Sequence, residues 1–121
     1  MALTVRLFLI LYGLIAVSTG YMSITATYDP DTTPFEDNSH RFIGAIWAAT
    51  SLGFFYCAFN LEEITLFRFL MLALFIGGIV RAVACIHYPP DMPILATIFL
   101  ELVPTPILWW LHTKLLENVS L

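Results

Sequence analysis

Four long apolar runs, separated by short polar segments, constrain this chain more than any other feature. They lie at about residues 5–22, 42–59, 65–86 and 93–111. A helix needs roughly 20 mainly apolar residues to cross the hydrocarbon core of a membrane. None of the runs alternates with the period of two that a membrane strand requires. The runs therefore predict four transmembrane helices, whose backbone polar groups are satisfied within each helix.

Composition and connection lengths extend this prediction to the architecture. Hydrophobic residues occupy 60% of the 121 positions and charged residues 12%, against about 45–50% and about 25% in soluble domains. The short second and third connections make neighbouring helices antiparallel. The predicted fold class is all-α, an integral membrane up-down four-helix bundle that forms a single transmembrane domain over residues 1–121, with a polar outer loop at 23–40.

The first run has a second interpretation as a signal peptide. Ala16-Val17-Ser18 resembles the small-residue pattern at which such peptides are cleaved. We take the run as the first transmembrane helix.

The basic residues predict the orientation. With both termini in the cytoplasm, the inner side carries Arg6, Arg68 and Lys114, and the outer side carries Arg41 and Arg81. The positive-inside rule favours this arrangement by three residues to two. We expect an integral protein of a bacterial inner membrane with both termini cytoplasmic.

Ionisable residues inside the spans are the first candidates for function, because charges in lipid are costly and usually paired. Arg81 lies about 7 Å from the outer end of the third run, at 1.5 Å per residue. Glu101 lies roughly 12 Å from the same side. The arginine side chain can cover the difference, so we expect an Arg81–Glu101 contact.

Polar residues at the start of the second run lie on the same side, and Asn38 or Ser39 is a candidate N-cap. The predicted polar cluster comprises Asn38, His40, Arg41, Arg81 and Glu101. Two cations and one acid leave a net positive pocket that suits a carboxylate, phosphate or lipid head group. The alternative is a structural ion pair with Arg41 extending to the head groups, or Arg41 neutralised by Glu36 and Asp37.

Small residues, prolines and aromatic residues predict local features. Gly44, Gly53, Gly77 and Gly78 permit close helix approach. Pro104 and Pro106 predict a kink just after Glu101. Trp109, Trp110 and His112 indicate an anchor at the inner interface.

Several kinds of site are disfavoured. The chain has no basic run, so no nucleic-acid partner is indicated. Cys57 and Cys85 lie towards opposite faces of the predicted bundle, which argues against a disulfide. His40 and His87 have no Cys, Asp or Glu at ligand spacing, so neither a metal nor a cofactor is predicted.

Three segments carry a family resemblance: Asn38-Ser39-His40-Arg41-Phe42-Ile43-Gly44, then Gly77-Gly78-Ile79-Val80-Arg81 preceded by Arg68, and Glu101-Leu102-Val103-Pro104. With these segments and the helix spacing, nearly the whole chain resembles the small bacterial membrane proteins of domain-of-unknown-function family 4345. The resemblance implies a four-helix membrane fold akin to the DoxX-like proteins, and it implies no activity. The acidic first loop departs from the family pattern in its length.

Three functions remain open. The first is an outer-leaflet pocket that binds a lipid or a small anionic or amphipathic molecule. The second is an accessory or structural subunit, packed against a larger membrane complex or in a homo-oligomer. The third, a membrane enzyme with Glu101 as general acid or base, is less expected than a protein without catalysis. A cavity at Arg81 and Glu101 favours binding, a closed pair favours the subunit, and a Glu101 free of Arg81 favours catalysis.

Overall fold

The computed structural model describes residues 2–27, 30–87 and 89–119 of the chain. Its helices are α1 (Ala2–Thr25), α2 (Pro34–Phe59), α3 (Ile64–Ala84), α4 (Met92–Leu102) and α5 (Pro104–Val119). Four stretches are long and apolar enough to cross a membrane, namely α1, α2, α3 and the stretch Met92–Asn118 that combines α4 with α5. All regular elements in the described ranges are helices, so the predicted all-α class with four membrane-length helices is confirmed.

The connection between α1 and α2 is shorter than the predicted loop at 23–40. α1 continues to Thr25 and α2 begins at Pro34, which leaves residues 26–33, of which Tyr28 and Asp29 lie outside the described residues. The polar residues that suggested a loop are instead the first two turns of α2. A helix end that reaches beyond the apolar core can carry polar residues without penalty, so hydropathy alone placed the boundary too late.

A capping box fixes the start of α2. The hydroxyl of Thr33 accepts a hydrogen bond from the Glu36 backbone N–H at 3.1 Å, and the Glu36 carboxylate accepts one from the Thr33 N–H at 3.4 Å. Pro34 follows at the first helical position, where its missing N–H costs nothing. The predicted cap at Asn38 or Ser39 is wrong, because both residues lie inside the helix that Thr33 caps.

The last span is broken at Val103, where the sequence predicted a kink. Pro104 and Pro106 have no backbone N–H, and their rings crowd the preceding turn. The helix therefore stops at Leu102 and restarts at Pro104. The Thr105 hydroxyl donates to the Glu101 carbonyl at 2.6 Å, which ties the chain together across the break.

The described chain divides into two compact units. The N-terminal unit is Arg6–Asn60, and the C-terminal unit combines Met1–Val5 with Leu61–Leu121. In the N-terminal unit, a Cβ added at Gly20 would lie 2.5 Å from the Gly44 carbonyl oxygen, and one at Gly44 would lie 2.6 Å from the Ser23 Cβ. Only small residues let two backbones approach so closely. The predicted packing role of Gly44 is confirmed, and Gly20 is its partner on α1.

His112 is buried in the C-terminal unit, which corrects its predicted place in an interfacial anchor. Its exposed fraction is 1%, its ring stacks on Phe67 with centroids 3.9 Å apart, and its Nε2 lies 2.6 Å from the Leu61 carbonyl oxygen. The ring is drawn inward because that carbonyl gives its polar edge a buried partner. Trp110, by contrast, is exposed.

Candidate functional site

The predicted contact between Arg81 and Glu101 is present. Arg81 Nε donates to Glu101 Oε1 at 3.0 Å, joining α3 to α4 within the C-terminal unit. The contact uses one nitrogen and one oxygen, whereas an arginine fork can bind both carboxylate oxygens with two parallel hydrogen bonds. The pair is therefore only half engaged.

The backbone around Glu101 explains why its carboxylate is enclosed. Glu101 is 8% exposed and stands one residue before the end of α4. A Cβ added at Gly78 would lie 2.9 Å from the Glu101 Cβ and from the Leu102 side chain. Because Gly78 has no side chain, α3 can approach α4 closely enough to cover the carboxylate.

The second carboxylate oxygen of Glu101 has no partner among the described residues. Oε2 is buried and accepts no hydrogen bond there. Leaving a buried acceptor unsatisfied costs about 1–3 kcal/mol, and more for a charged group. A Cβ added at Gly77 would lie 3.9 Å from Oε2 and within 4 Å of no other described neighbour. Gly77 therefore leaves a notch beside the unsatisfied oxygen that has room for a group the size of a methyl.

Arg81 has more N–H donors than its contact with Glu101 uses. Its side chain is 53% exposed, and its single hydrogen bond within the described ranges is the one from Nε. Arginine carries five N–H donors. The pair thus presents free donors on Arg81 and a free acceptor on Glu101.

An apolar groove lies deeper along α3, between α3 and α5. It measures about 320 Å³, near the low end for small-molecule sites. Its lining residues come from α3 and α5: Met71, Leu72, Phe75, Thr105, Pro106 and Trp109. Phe75 precedes Arg81 by six residues, about 9 Å along α3. Thr105 follows Glu101 by about one turn and is the lining residue nearest to Glu101 in the sequence.

Arg41 is fully occupied within the N-terminal unit, which corrects its predicted role as a cation without a protein partner. It forms an ion pair with Asp37 at 3.1 Å and donates to the carbonyls of Ile24 and of Ala26, the latter at 2.9 Å. The last carbonyls of a helix lack intrahelical partners and carry partial negative charge. The sequence did contain a signal, since Asp37 and Arg41 have the i,i+4 spacing of a helical ion pair.

Arg6 has the equivalent role at the other end of the same helix pair. Its Nε donates to the Ala58 carbonyl at 2.7 Å, near the end of α2. Arginines from α1 and α2 thus each bind the C-terminal carbonyls of the other helix. Sequence reasoning missed this use of Arg6, because nothing local indicates which carbonyls it meets.

The remaining predicted site residues lie on α2. His40 is exposed, and Asn38 lies in a depression on the helix surface with Phe35, Ser39, Phe42 and Ile43. Asn38, His40 and Arg41 belong to the N-terminal unit, and Arg81 and Glu101 to the C-terminal unit. The convergence of all five on one region stays a prediction. Among the residues described, no group of three or more His, Cys, Asp or Glu forms a metal site.

Comparison with known protein families gives a match. The family described as "Domain of unknown function (DUF4345)" matches residues 2–112, which include every residue of the predicted cluster. No curated protein and no solved structure matches the chain.

Proposed function

The chain belongs to the DUF4345 family, whose description names no activity, and from the geometry of its C-terminal unit we propose that it binds an amphipathic lipid. The polar head group contacts Arg81 and Glu101, and one apolar chain lies in the groove between α3 and α5. A relation to the DoxX-like proteins remains a prediction.

The half-engaged ion pair is the observation that carries this proposal. Arg81 has exposed donors beside an enclosed carboxylate that takes only one of them. The planar guanidinium suits phosphate and carboxylate, because it can donate two parallel hydrogen bonds. A polar group in a membrane span usually marks a site or a pair, and here the pair leaves capacity for a ligand.

The order of polar and apolar features along α3 matches the order within a lipid. Arg81 lies three residues, about 5 Å, from the end of the helix, and the groove residues lie deeper. A lipid in a bilayer likewise has its head group at the surface and its chains towards the midplane. The groove therefore continues in the direction that an acyl chain follows.

The competing functions fit the geometry less well. A catalytic Glu101 required a carboxylate free of Arg81, and the two are in contact. A closed pair was the condition for an accessory subunit, but Arg81 is half exposed and an apolar groove lies about 9 Å further along α3. If the protein does not bind lipid, an accessory or structural subunit becomes the favoured function.

The location follows the same proposal. We infer a bacterial inner membrane, with both termini cytoplasmic and the Arg81–Glu101 pair in the outer leaflet. The bias in basic residues supports this orientation.

Native mass spectrometry of the purified protein in mixed phospholipid micelles tests the binding. Arg81→Lys keeps the charge and loses the planar fork, so we expect it to retain less phospholipid than the wild type. Leu72→Trp should also reduce retention, because Leu72 lines the groove and is 51% exposed.

A matched control is available on the same helix. Ile76 is 52% exposed and is not among the groove residues, so Ile76→Trp should retain phospholipid as the wild type does. Equal retention by wild type, Arg81→Lys and Leu72→Trp would remove the reason to assign a lipid site here.

A further inference from the structure

The charges of the Arg81–Glu101 pair specify the kind of head group, and we propose that the ligand is a zwitterionic phospholipid with N–H donors, of the phosphoethanolamine type. This deepens the proposed function and rests on it. The phosphate accepts hydrogen bonds from Arg81, and the ammonium group donates to Glu101 Oε2.

Charge balance selects a zwitterion. Arg41, which the sequence counted towards a net positive pocket, is neutralised by Asp37 in its own unit. The remaining pair contributes one positive and one negative charge. A zwitterionic head group has the complementary two charges, whereas an anionic head group would leave the negative charge of Glu101 facing it.

The unsatisfied oxygen selects a head group that can donate hydrogen bonds. Glu101 Oε2 is buried without a hydrogen-bond partner among the described residues. The notch at Gly77 lies directly beside it, with the position of an added Cβ 3.9 Å from Oε2. A primary ammonium is small and carries three donors. A trimethylated ammonium has the same charge but no donor, and its methyl groups enlarge it beyond what the notch suits.

A pair of lipids isolates this difference. Dioleoyl phosphatidylethanolamine and dioleoyl phosphatidylcholine share their chains, phosphate and net charge, and differ in the N–H donors and the size of the ammonium group. The test incubates the full chain in micelles with equal amounts of both, and native mass spectrometry measures the ratio of the two bound lipids. We expect the wild type to favour the ethanolamine lipid by about threefold, the ratio expected from one polar contact of average strength in a membrane protein.

Gly77→Ser is the informative variant. A serine hydroxyl at this position can reach Oε2 from the Cβ at 3.9 Å and supply the missing donor internally. The bound ratio should then fall to about one, while Arg81 still retains phospholipid in total. Ala73→Ser adds the same hydroxyl to an exposed position one turn earlier on α3, and it should leave the ratio unchanged.

The outcomes separate the two proposals. Equal binding of both lipids by the wild type, with total retention still dependent on Arg81, overturns the head-group inference and leaves the lipid site intact. Total retention independent of Arg81 overturns the site itself. A threefold preference that persists in Gly77→Ser assigns the preference elsewhere and also overturns the inference. If Gly77→Ser does not fold, Glu101→Leu provides the same test, because it removes the oxygen that accepts from the ammonium group, and the ratio should again fall to about one.

Discussion

Arg41 in the N-terminal unit and Arg81 in the C-terminal unit have similar positions near the ends of apolar helices but very different surroundings. Arg41 binds Asp37 and two carbonyls at the end of α1. Arg81 makes one hydrogen bond, to Glu101, and is 53% exposed. The difference shows that the donors of an arginine near a helix terminus are readily engaged by the carbonyls at the end of a neighbouring helix. An arginine that makes a single hydrogen bond to a carboxylate keeps its other N–H donors available to a ligand.

The largest expected effect is an all-or-none labelling pattern, which tests whether both arginines lie towards the same side of the membrane. In a background in which Cys57 and Cys85 are replaced, single cysteines at Thr32 and Pro90 should react with a membrane-impermeant thiol reagent from outside the cell. A cysteine at Glu62 should be protected until the membrane is opened.

Both positions 32 and 90 avoid the capping residues Thr33 and Asp91. Labelling of residue 32 from the cytoplasm alone would reverse the orientation. Labelling of residues 32 and 90 from opposite sides would show that Arg41 and Arg81 lie towards opposite faces of the membrane.

Stability should separate the two arginines next. Arg41→Leu removes contacts to Asp37 and to the Ile24 and Ala26 carbonyls, and at about 0.6 kcal/mol per polar contact in a membrane it should lower the free energy of unfolding by about 2 kcal/mol. Arg81→Leu removes one contact and should cost about 0.6 kcal/mol.

Unfolding of both variants in the same detergent micelles measures the difference. Arg68→Leu gives a third comparison, since Arg68 is exposed and its guanidinium lies 5.3 Å from the centroid of the Trp109 ring. An equal loss in Arg41→Leu and Arg81→Leu would mean that Arg81 is as fully engaged as Arg41.

The glycines of α3 should show a difference of about 1 kcal/mol. Gly78→Ala places a Cβ 2.9 Å from the Glu101 Cβ, and overpacking of this kind typically costs about 1–3 kcal/mol. Gly77→Ala places its Cβ 3.9 Å from Glu101 Oε2, which is ordinary contact, so its stability should stay close to that of the wild type. Thermal unfolding in micelles compares the stabilities of the two alanine variants with that of the wild type. A larger loss at Gly77 than at Gly78 would show that the notch is already filled.

The smallest expected effect is the coupling within the Arg81–Glu101 pair. Glu101→Gln should lower the free energy of unfolding slightly. The double variant Arg81→Leu with Glu101→Leu should recover much of the stability that the two single leucine variants lose, because no charge is then left alone in lipid. The expected coupling energy is about 0.6 kcal/mol. A double variant as unstable as the sum of the single variants would show that the contact contributes nothing and that the two side chains act independently.

Part of the site could be predicted from the sequence alone. Hydropathy over a window of membrane length identified the four spans, because a span is a local property of about 20 residues. The Arg81–Glu101 contact followed from depth, since the rise of a helix fixes how far each residue lies from its end. The break near Pro104 followed from the missing N–H of proline.

Tertiary structure alone decided how each polar group is used. Depth along a helix does not give its rotation or its neighbours, so the sequence could not tell that Arg41 would meet the end of α1 or that His112 would turn inward to Leu61. Nor could it show that Glu101 would use one oxygen and leave the other enclosed beside Gly77. The sequence determined which residues lie in the membrane and how deep, because hydropathy and helical rise are local. Packing determined which of them remain open to a ligand, because that depends on atoms brought together from distant parts of the chain.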